Sequence, residues 1–276
     1  MAPEARGAPA GHVSPFIQLA IAAVCWSAAC WPLWLWYGHR VFAVPDQAWF
    51  LLAPLTAGGL ALTKGSVPFP ETTVRRWLPP ALAMAVYAAT YPFLPMPLRA
   101  LPALAALLFL PGPWRRGFRP DPAVAGLCLI GLPAMAMLQF YFGSPLRAAS
   151  AALAVPMLHL AGFQVVREGA MLDWAGRSIG VDVPCSGIRM GWAGLYMALA
   201  GTGLAGLGWG RTLTAAAGAM ILVVAANAVR VVVLFGLEAF GLGGRPVLHA
   251  GIGIMLFILL ALGIAGLVRA LKGRAP

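Results

Sequence analysis

Long apolar runs alternate with short polar stretches along the whole chain. A helix needs about 20 mainly apolar residues to cross the hydrocarbon core of a bilayer. The runs at or near this length are Phe16–Tyr37, Gln47–Thr63, Trp77–Leu94, Leu98–Leu110, Ala123–Phe142, Ser186–Leu207, Thr212–Phe240 and Ala250–Leu271. We therefore expect an all-α polytopic membrane protein with about eight transmembrane helices, which form a single integral membrane domain over residues 1–276.

The positions of the cations predict the orientation of these helices. Lys and Arg concentrate in cytoplasmic loops, and the last run is followed by Arg269, Lys272 and Arg274. Counting back from a cytoplasmic carboxyl end places the starts of Ser186–Leu207 and Ala250–Leu271 on the external face. It also predicts a cytoplasmic tail at residues 1–15. The expected location is the cytoplasmic (inner) membrane, with both ends of the chain inside.

Two segments are expected to lie on the external face without crossing the membrane. The run Leu146–Phe163 is interrupted by Arg147, Ser150, Pro156 and His159, which favours an interfacial helix. The polar stretch 164–184 has glycine turn signals between Val165-Val166 and Ile179–Val183. This pattern predicts a short external hairpin of two strands that leads directly to Cys185.

Composition restricts the class of protein and of partner. The chain is 61% hydrophobic and 10% charged, with a mean hydropathy of +0.84, whereas soluble domains carry about a quarter charged residues. The net charge of +11 raises the question of nucleic acid. The cations are scattered between apolar runs, however, and there is no basic helix or stacking platform. We therefore expect contact with membrane lipid and no nucleic-acid partner.

The four cysteines fall into two groups. Cys25, Cys30 and Cys128 lie inside long apolar runs, where free cysteine behaves as a small hydrophobic residue. Cys185 lies instead where a polar stretch meets an apolar one. The chain has no Cys-x-x-Cys pair and no Cys/His cluster, so we expect no metal, no other cofactor and no disulfide framework.

Three residues from different apolar segments are predicted to meet at the external boundary. Cys185 and His249 each precede a helix that starts outside. Arg230 lies 18 residues beyond Thr212, which is about 27 Å along a helix, close to the far side of a hydrocarbon core about 30 Å thick. An arginine inside an apolar helix costs several kcal/mol and needs a partner. A thiol, a guanidinium and an imidazole at one depth are the parts of a cysteine acyl-transfer site.

Each of these groups has a role in that chemistry. A thiolate is the nucleophile, and the start of a helix lowers the pKa of a thiol such as Cys185. Arg230 can donate to an oxyanion, and His249 can move the proton of the leaving amine. Either Arg230 or His249 can hold the thiolate, because a helix start disfavours imidazolium. Asn227 is a candidate orienting residue, and Arg189 either binds a substrate carboxylate or anchors at lipid headgroups.

The motifs in these segments resemble exosortases and archaeosortases. The matching pieces are the run Cys185-Ser186-Gly187-Ile188-Arg189, the pair Asn227-x-x-Arg230, and the segment from His249 to Gly253. The resemblance covers residues 123–271, which would form the catalytic core. It implies that Cys185 is the nucleophile, that Arg230 and His249 complete a triad, and that Ser186 and Gly187 support the site.

The same resemblance implies a function. Such enzymes cleave exported proteins that carry a PEP-CTERM-like carboxy-terminal sorting signal, made of a short motif, a transmembrane helix and a basic tail. A thioester at Cys185 would pass the protein to an external acceptor, and hydrolysis without transfer stays open. The alternative is a non-catalytic transporter or assembly factor in which Arg230 binds an anion or a lipid head group. Transporters more often show broken helices or acidic residues at mid-membrane, whereas here the polar residues gather at one face.

Overall fold

The computed structural model describes residues 15–44, 47–63, 74–112, 115–116, 119–180, 187–242 and 245–273. Most of the predicted cytoplasmic tail, together with Cys185 and Ser186, lies outside these described residues. The α-helices are α1 (Pro15–Ala29), α2 (Trp31–Gly38), α3 (Leu52–Thr63), α4 (Leu78–Thr90), α5 (Met96–Phe109), α6 (Pro122–Ile130), α7 (Met135–Leu160), α8 (Ile188–Leu204), α9 (Trp209–Ala239) and α10 (Pro246–Gly273). The strands are β1 (Arg115–Arg116), β2 (Arg119–Pro120), β3 (Val166–Glu168), β4 (Met171–Trp174) and β5 (Arg177–Gly180). Short π and 3₁₀ turns occupy His39–Ala43, Ala48–Leu51 and Val74–Arg76.

The chain divides into two compact units. The amino-terminal unit comprises Met1–Val44 and Ala61–Pro120, and the carboxy-terminal unit comprises Pro45–Leu60 and Asp121–Pro276. All the candidate site residues named above belong to the carboxy-terminal unit. The prediction of a single membrane domain over residues 1–276 stays a prediction.

The amino-terminal unit is built around α1, α2, α4 and α5. Its small core contains Cys30, Tyr87 and Ala103, and Trp26 Nε1 donates a hydrogen bond of 2.8 Å to the carbonyl of Ala103. The prediction of one continuous helix over Phe16–Tyr37 is wrong, because the chain bends by 68° between the helix that ends at Ala29 and the next one. Proline occupies the first turn of α2, where its missing N–H and its fixed φ favour the start of a new helix.

In the carboxy-terminal unit, α8, α9 and α10 pack on one another. Their shared core is mainly aliphatic and consists of Ala198, Ala215, Ala219, Val223, Leu260, Ile264 and Val268. Small residues bring α8 and α9 close together. A methyl group added at Gly194 would lie only 2.6 Å from Val223 Cγ2, so the fit depends on the absence of a side chain there.

The helix predicted over Ala123–Phe142 and the interfacial helix predicted over Leu146–Phe163 are divided differently in the structure. The first helix ends at Ile130, and the second runs without interruption from Met135 to Leu160, at 88° to the first. The break therefore lies near Pro133 and not near Pro145. A proline disfavours the helical conformation of the residue before it, whereas Pro145 is accommodated inside α7.

The external hairpin predicted over residues 164–184 has one strand more than expected. The described part is a three-stranded antiparallel sheet in the order β3-β4-β5, with Val166 opposite Asp173 and Trp174 opposite Arg177. The prediction missed β4, which lies between the turns at Gly169 and Gly176. Both glycines have positive φ, at +60° and +76°, a conformation that glycine adopts without steric cost.

The helices support a multi-pass all-α membrane protein. Among the described residues, α9 and Val247–Gly273 of α10 are long and apolar enough to cross a membrane, and the number rises to 4 if each bent pair is one span. Three shorter apolar helices, Ala48–Thr63, Leu78–Thr90 and Met96–Phe109, coincide with further predicted spans. The expectation of about eight spans stays a prediction.

Candidate functional site

Arg230 and His249 come together across two neighbouring helices. Arg230 lies in the last third of α9, and His249 lies in the first turn of α10, where its backbone N–H donates to the carbonyl of Arg245. The prediction that His249 precedes its helix is therefore off by one turn. Arg230 Nη2 lies 3.5 Å from His249 Nε2, and both side chains are partly buried.

The contact between Arg230 and His249 constrains the imidazole. A guanidinium nitrogen is always a donor, so Nε2 of His249 must accept and carry a lone pair. A histidine ring that accepts at Nε2 carries its proton on Nδ1. At 3.5 Å the contact is at the long limit of a hydrogen bond and is therefore weak. A neutral histidine is the form that acts as a general base.

Asn227 lies one turn before Arg230 on α9 and is 1% exposed. Its Nδ2 donates a hydrogen bond of 2.7 Å to the hydroxyl of Ser150 on α7. Ser150 is itself 5% exposed, and its hydroxyl lies 2.9 Å from the carbonyl of Leu146, to which it donates. Two buried polar side chains from helices far apart in sequence thus satisfy each other, as burial requires.

Sequence reasoning missed Ser150 as part of this site. The sequence predicts it only as a polar residue of an interfacial helix, whereas it lies on the buried side of α7 with Ala151, Ala154 and Leu158. One signal was available, because a small polar residue that shares a helix face with alanines is typical of close helix packing. That signal does not identify the partner.

Gly187 fits the start of α8 against Asn227. It has φ +75° and occupies the N-cap position of α8, a conformation that costs other residues about 1–2 kcal/mol. A methyl group at this position would lie 3.2 Å from Asn227 Cγ and 3.3 Å from Asn227 Nδ2. The backbone therefore favours glycine here, and the space beside Asn227 is tight for any side chain. Gly187 follows Cys185 by two residues in the sequence.

The small sheet packs on the carboxyl end of α9, beside Arg230. Leu172 of β4 shares a buried cluster with Val231 and Phe235 of α9. Aromatic rings extend this contact, since the centre of the Phe235 ring lies 5.5 Å from that of Phe163 and 6.0 Å from that of Trp174. His159, at the end of α7, supports the entry to the sheet through a 2.9 Å contact with the carbonyl of Val165.

Three further predicted site residues remain. Arg189 is exposed, and its two predicted roles are equally untested. Cys185 and Ser186 lie outside the described residues. Within the parts of the chain that the structure describes, no group of three or more His, Cys, Asp or Glu side chains is arranged to hold a metal ion.

The described groups can together support acyl transfer by a thiol. They comprise the guanidinium of Arg230, the imidazole of His249 in contact with it, and the buried carboxamide of Asn227 near the start of α8. The chemistry requires a thiolate, an oxyanion donor and a proton carrier.

Comparison with known proteins gives one result. No curated protein and no solved structure matches the chain. The family model described as transmembrane exosortase (Exosortase_EpsH) matches residues 16–266, which is nearly the whole chain. The chain therefore belongs to the transmembrane exosortase family.

Proposed function

We propose that this protein is a membrane cysteine transpeptidase that cleaves carboxy-terminal sorting signals of exported proteins and transfers the proteins to an external acceptor. Family membership supports the class of reaction. The single structural observation that carries the proposal is the 3.5 Å contact between Arg230 on α9 and His249 on α10. It joins an oxyanion donor to a proton carrier, next to the helix that follows Cys185.

In the proposed mechanism, His249 first acts as a base. Its neutral Nε2 takes the proton of the Cys185 thiol, and the thiolate attacks the carbonyl carbon of the scissile peptide bond. Arg230 donates hydrogen bonds to the resulting oxyanion, and these are strong where water is scarce. When the tetrahedral intermediate collapses, the C–N bond breaks, His249 returns its proton to the leaving amine, and a thioester remains on Cys185.

The second half of the reaction reverses these roles. The acceptor nucleophile attacks the thioester carbonyl while His249 removes its proton, and Arg230 again stabilises the oxyanion. The C–S bond then breaks, and the Cys185 sulfur recovers a proton from His249. If water is the acceptor, the same residues carry out hydrolysis.

The substrate of this reaction is an exported protein with a short motif, a transmembrane helix and a basic tail at its carboxyl end. Such a tripartite, PEP-CTERM-like signal places the motif at the external boundary, where the orientation expected from the cations also places the site. The proposed location is therefore the cytoplasmic membrane, with the active site facing outward. Asn227 and Gly187 support the site, and Arg189 is available on the exposed side of α8 for substrate or lipid headgroups.

Processing of a tagged substrate tests the proposal. The chain is co-expressed with a protein that carries such a signal, and immunoblotting follows the shortened product. Cys185→Ala should abolish the product, because no other group described at the site is a strong nucleophile. The amount of the Cys185→Ala protein in the membrane should match that of the wild type.

Cys25→Ala is the matched control, because Cys25 is exposed on α1. This variant should process the substrate at the wild-type rate. Adding hydroxylamine to the wild type should release substrate as a hydroxamate, because that amine intercepts a thioester. Product from Cys185→Ala at the wild-type rate would refute the transpeptidase and leave the non-catalytic alternative.

A further inference from the structure

The hydroxyl of Ser150 fixes the direction of the Asn227 carboxamide. Ser150 has a single proton, and it donates this proton to the carbonyl of Leu146 at 2.9 Å. Its oxygen is left only as an acceptor toward α9, and the group that meets it at 2.7 Å must be a donor, the Nδ2 of Asn227. The amide end that faces Ser150 is therefore the nitrogen, and the amide oxygen faces away from it.

This fixed carboxamide lies beside Gly187 and on the same helix face as Arg230. On one side it forms the surface against which Gly187 packs, with Nδ2 at 3.3 Å from the position of a glycine Cβ. On the other side it shares a helix face with Arg230, three residues further along α9. Rotating the amide by half a turn would bring two oxygens together at Ser150, so Ser150 opposes that rotation.

We infer that Ser150 is a positioning residue of the transpeptidase site: it acts through Asn227 to hold Gly187, at the start of α8, against the face of α9 that carries Arg230. The inference rests on the proposed function and adds a residue from α7 to it. Ser150 does not touch the substrate. Its effect is expected on the reactivity of the Cys185 thiol, the nucleophile of the proposed function, before any substrate arrives.

The test measures the Cys185 thiol directly, without substrate. Iodoacetamide modification of Cys185 is followed against pH by mass spectrometry of the peptide that contains it. Ser150→Ala should slow modification at neutral pH by about three- to tenfold, the effect of losing one neutral hydrogen bond, and should move the pH midpoint upward. The turnover number for substrate processing should fall by a similar factor, with little change in KM.

Two comparisons separate positioning from general loss of structure. Thr202→Val also removes a buried hydroxyl bonded to its own helix, since Thr202 Oγ1 donates to the carbonyl of Leu199 and is 0% exposed. This control should react and process within about twofold of wild type, because Thr202 lies near the end of α8 that is opposite Gly187 and distant sites are independent. The second comparison is a cycle with Asn227→Leu, in which adding Ser150→Ala should change neither rate further.

The cycle also covers the case in which Ser150→Ala alone misfolds. Removing both members of a buried hydrogen bond is close to neutral for stability, so the double variant should fold as well as Asn227→Leu. The inference fails if Ser150→Ala reacts and processes at wild-type rates, or if it causes the same loss in the Asn227→Leu background. Absence of product from every protein, wild type included, would refute the proposed function, while the modification rates would still decide the role of Ser150.

Discussion

The cores of the two compact units are held together in different ways. In the amino-terminal unit, Cys30, Tyr87 and Ala103 are buried mainly by apolar contact. Around α7, α8 and α9 of the carboxy-terminal unit, Ser150 and Asn227 are buried in a directed hydrogen bond of 2.7 Å. Apolar packing tolerates small shifts of its members, whereas a directed bond between buried polar groups fixes both position and angle. The comparison indicates that substitutions in the first region change stability and those in the second change chemistry.

The largest effect is expected at Arg230. Arg230→Lys keeps a cation in α9, so the protein should insert and fold, but an ammonium lacks the planar pair of donors of a guanidinium. The processing rate should fall by about 10²–10³, the usual cost of losing an oxyanion donor. The fall is measured by comparing initial rates of product formation in the variant and the wild type.

Arg269→Lys, on the exposed side near the end of α10, is the matched control and should process normally. If Arg230→Lys retained most of the activity, the side chain would be a general cation and the catalytic role proposed for it would be wrong.

A smaller but still clear effect is expected at Gly187. Gly187→Ala combines the strain of a side chain at φ +75° with a methyl group 3.2 Å from Asn227. The backbone term alone is about 1–2 kcal/mol, so a displacement of the chain that enters α8 should lower processing by about tenfold or more.

Gly162→Ala separates the two causes. Gly162 has φ +90°, and nothing lies within 4 Å of the added methyl. Gly162→Ala should therefore lower the melting temperature and leave the processing rate per folded molecule unchanged. Equal losses of activity in both variants would mean that the contact with Asn227 is irrelevant.

The smallest effect is expected in the amino-terminal unit. Tyr87 is 4% exposed, and its hydroxyl has no hydrogen-bond partner among the described residues. Tyr87→Phe removes a buried hydroxyl that forms no hydrogen bond there. The free energy of unfolding should therefore stay equal or rise by about 1 kcal/mol at most, and the melting temperature should follow it. Processing should be unchanged, and a loss of activity would contradict the division of roles between the two units.

Sequence predicted the elements that depend on local composition. The runs Thr212–Phe240 and Ala250–Leu271 correspond to α9 and α10 because each is long, apolar and free of internal proline. The proximity of Arg230 and His249 followed from counting spans and helix rise. Their catalytic roles, like that of Cys185, stay predictions.

The parts that sequence did not predict depend on competing local signals or on tertiary contact. Pro133 and Pro145 offer the same signal for a break, and only the first ends a helix. The strand β4 is too short for a clear alternation of apolar and polar residues. The bond between Ser150 and Asn227 joins residues 77 positions apart, and no local pattern specifies which faces of two helices will meet.

The bend between α6 and α7 has a consequence for hydration. Nine residues make α6 about 14 Å long, which is about half the thickness of a hydrocarbon core of about 30 Å. A carbonyl exposed at the end of so short a helix would ordinarily draw in water. At Ile130 the carbonyl instead accepts a hydrogen bond of 2.7 Å from the indole of Trp192 on α8, whose ring is also packed against Trp49. The indole therefore satisfies this carbonyl at the helix end in the way that a water molecule otherwise would.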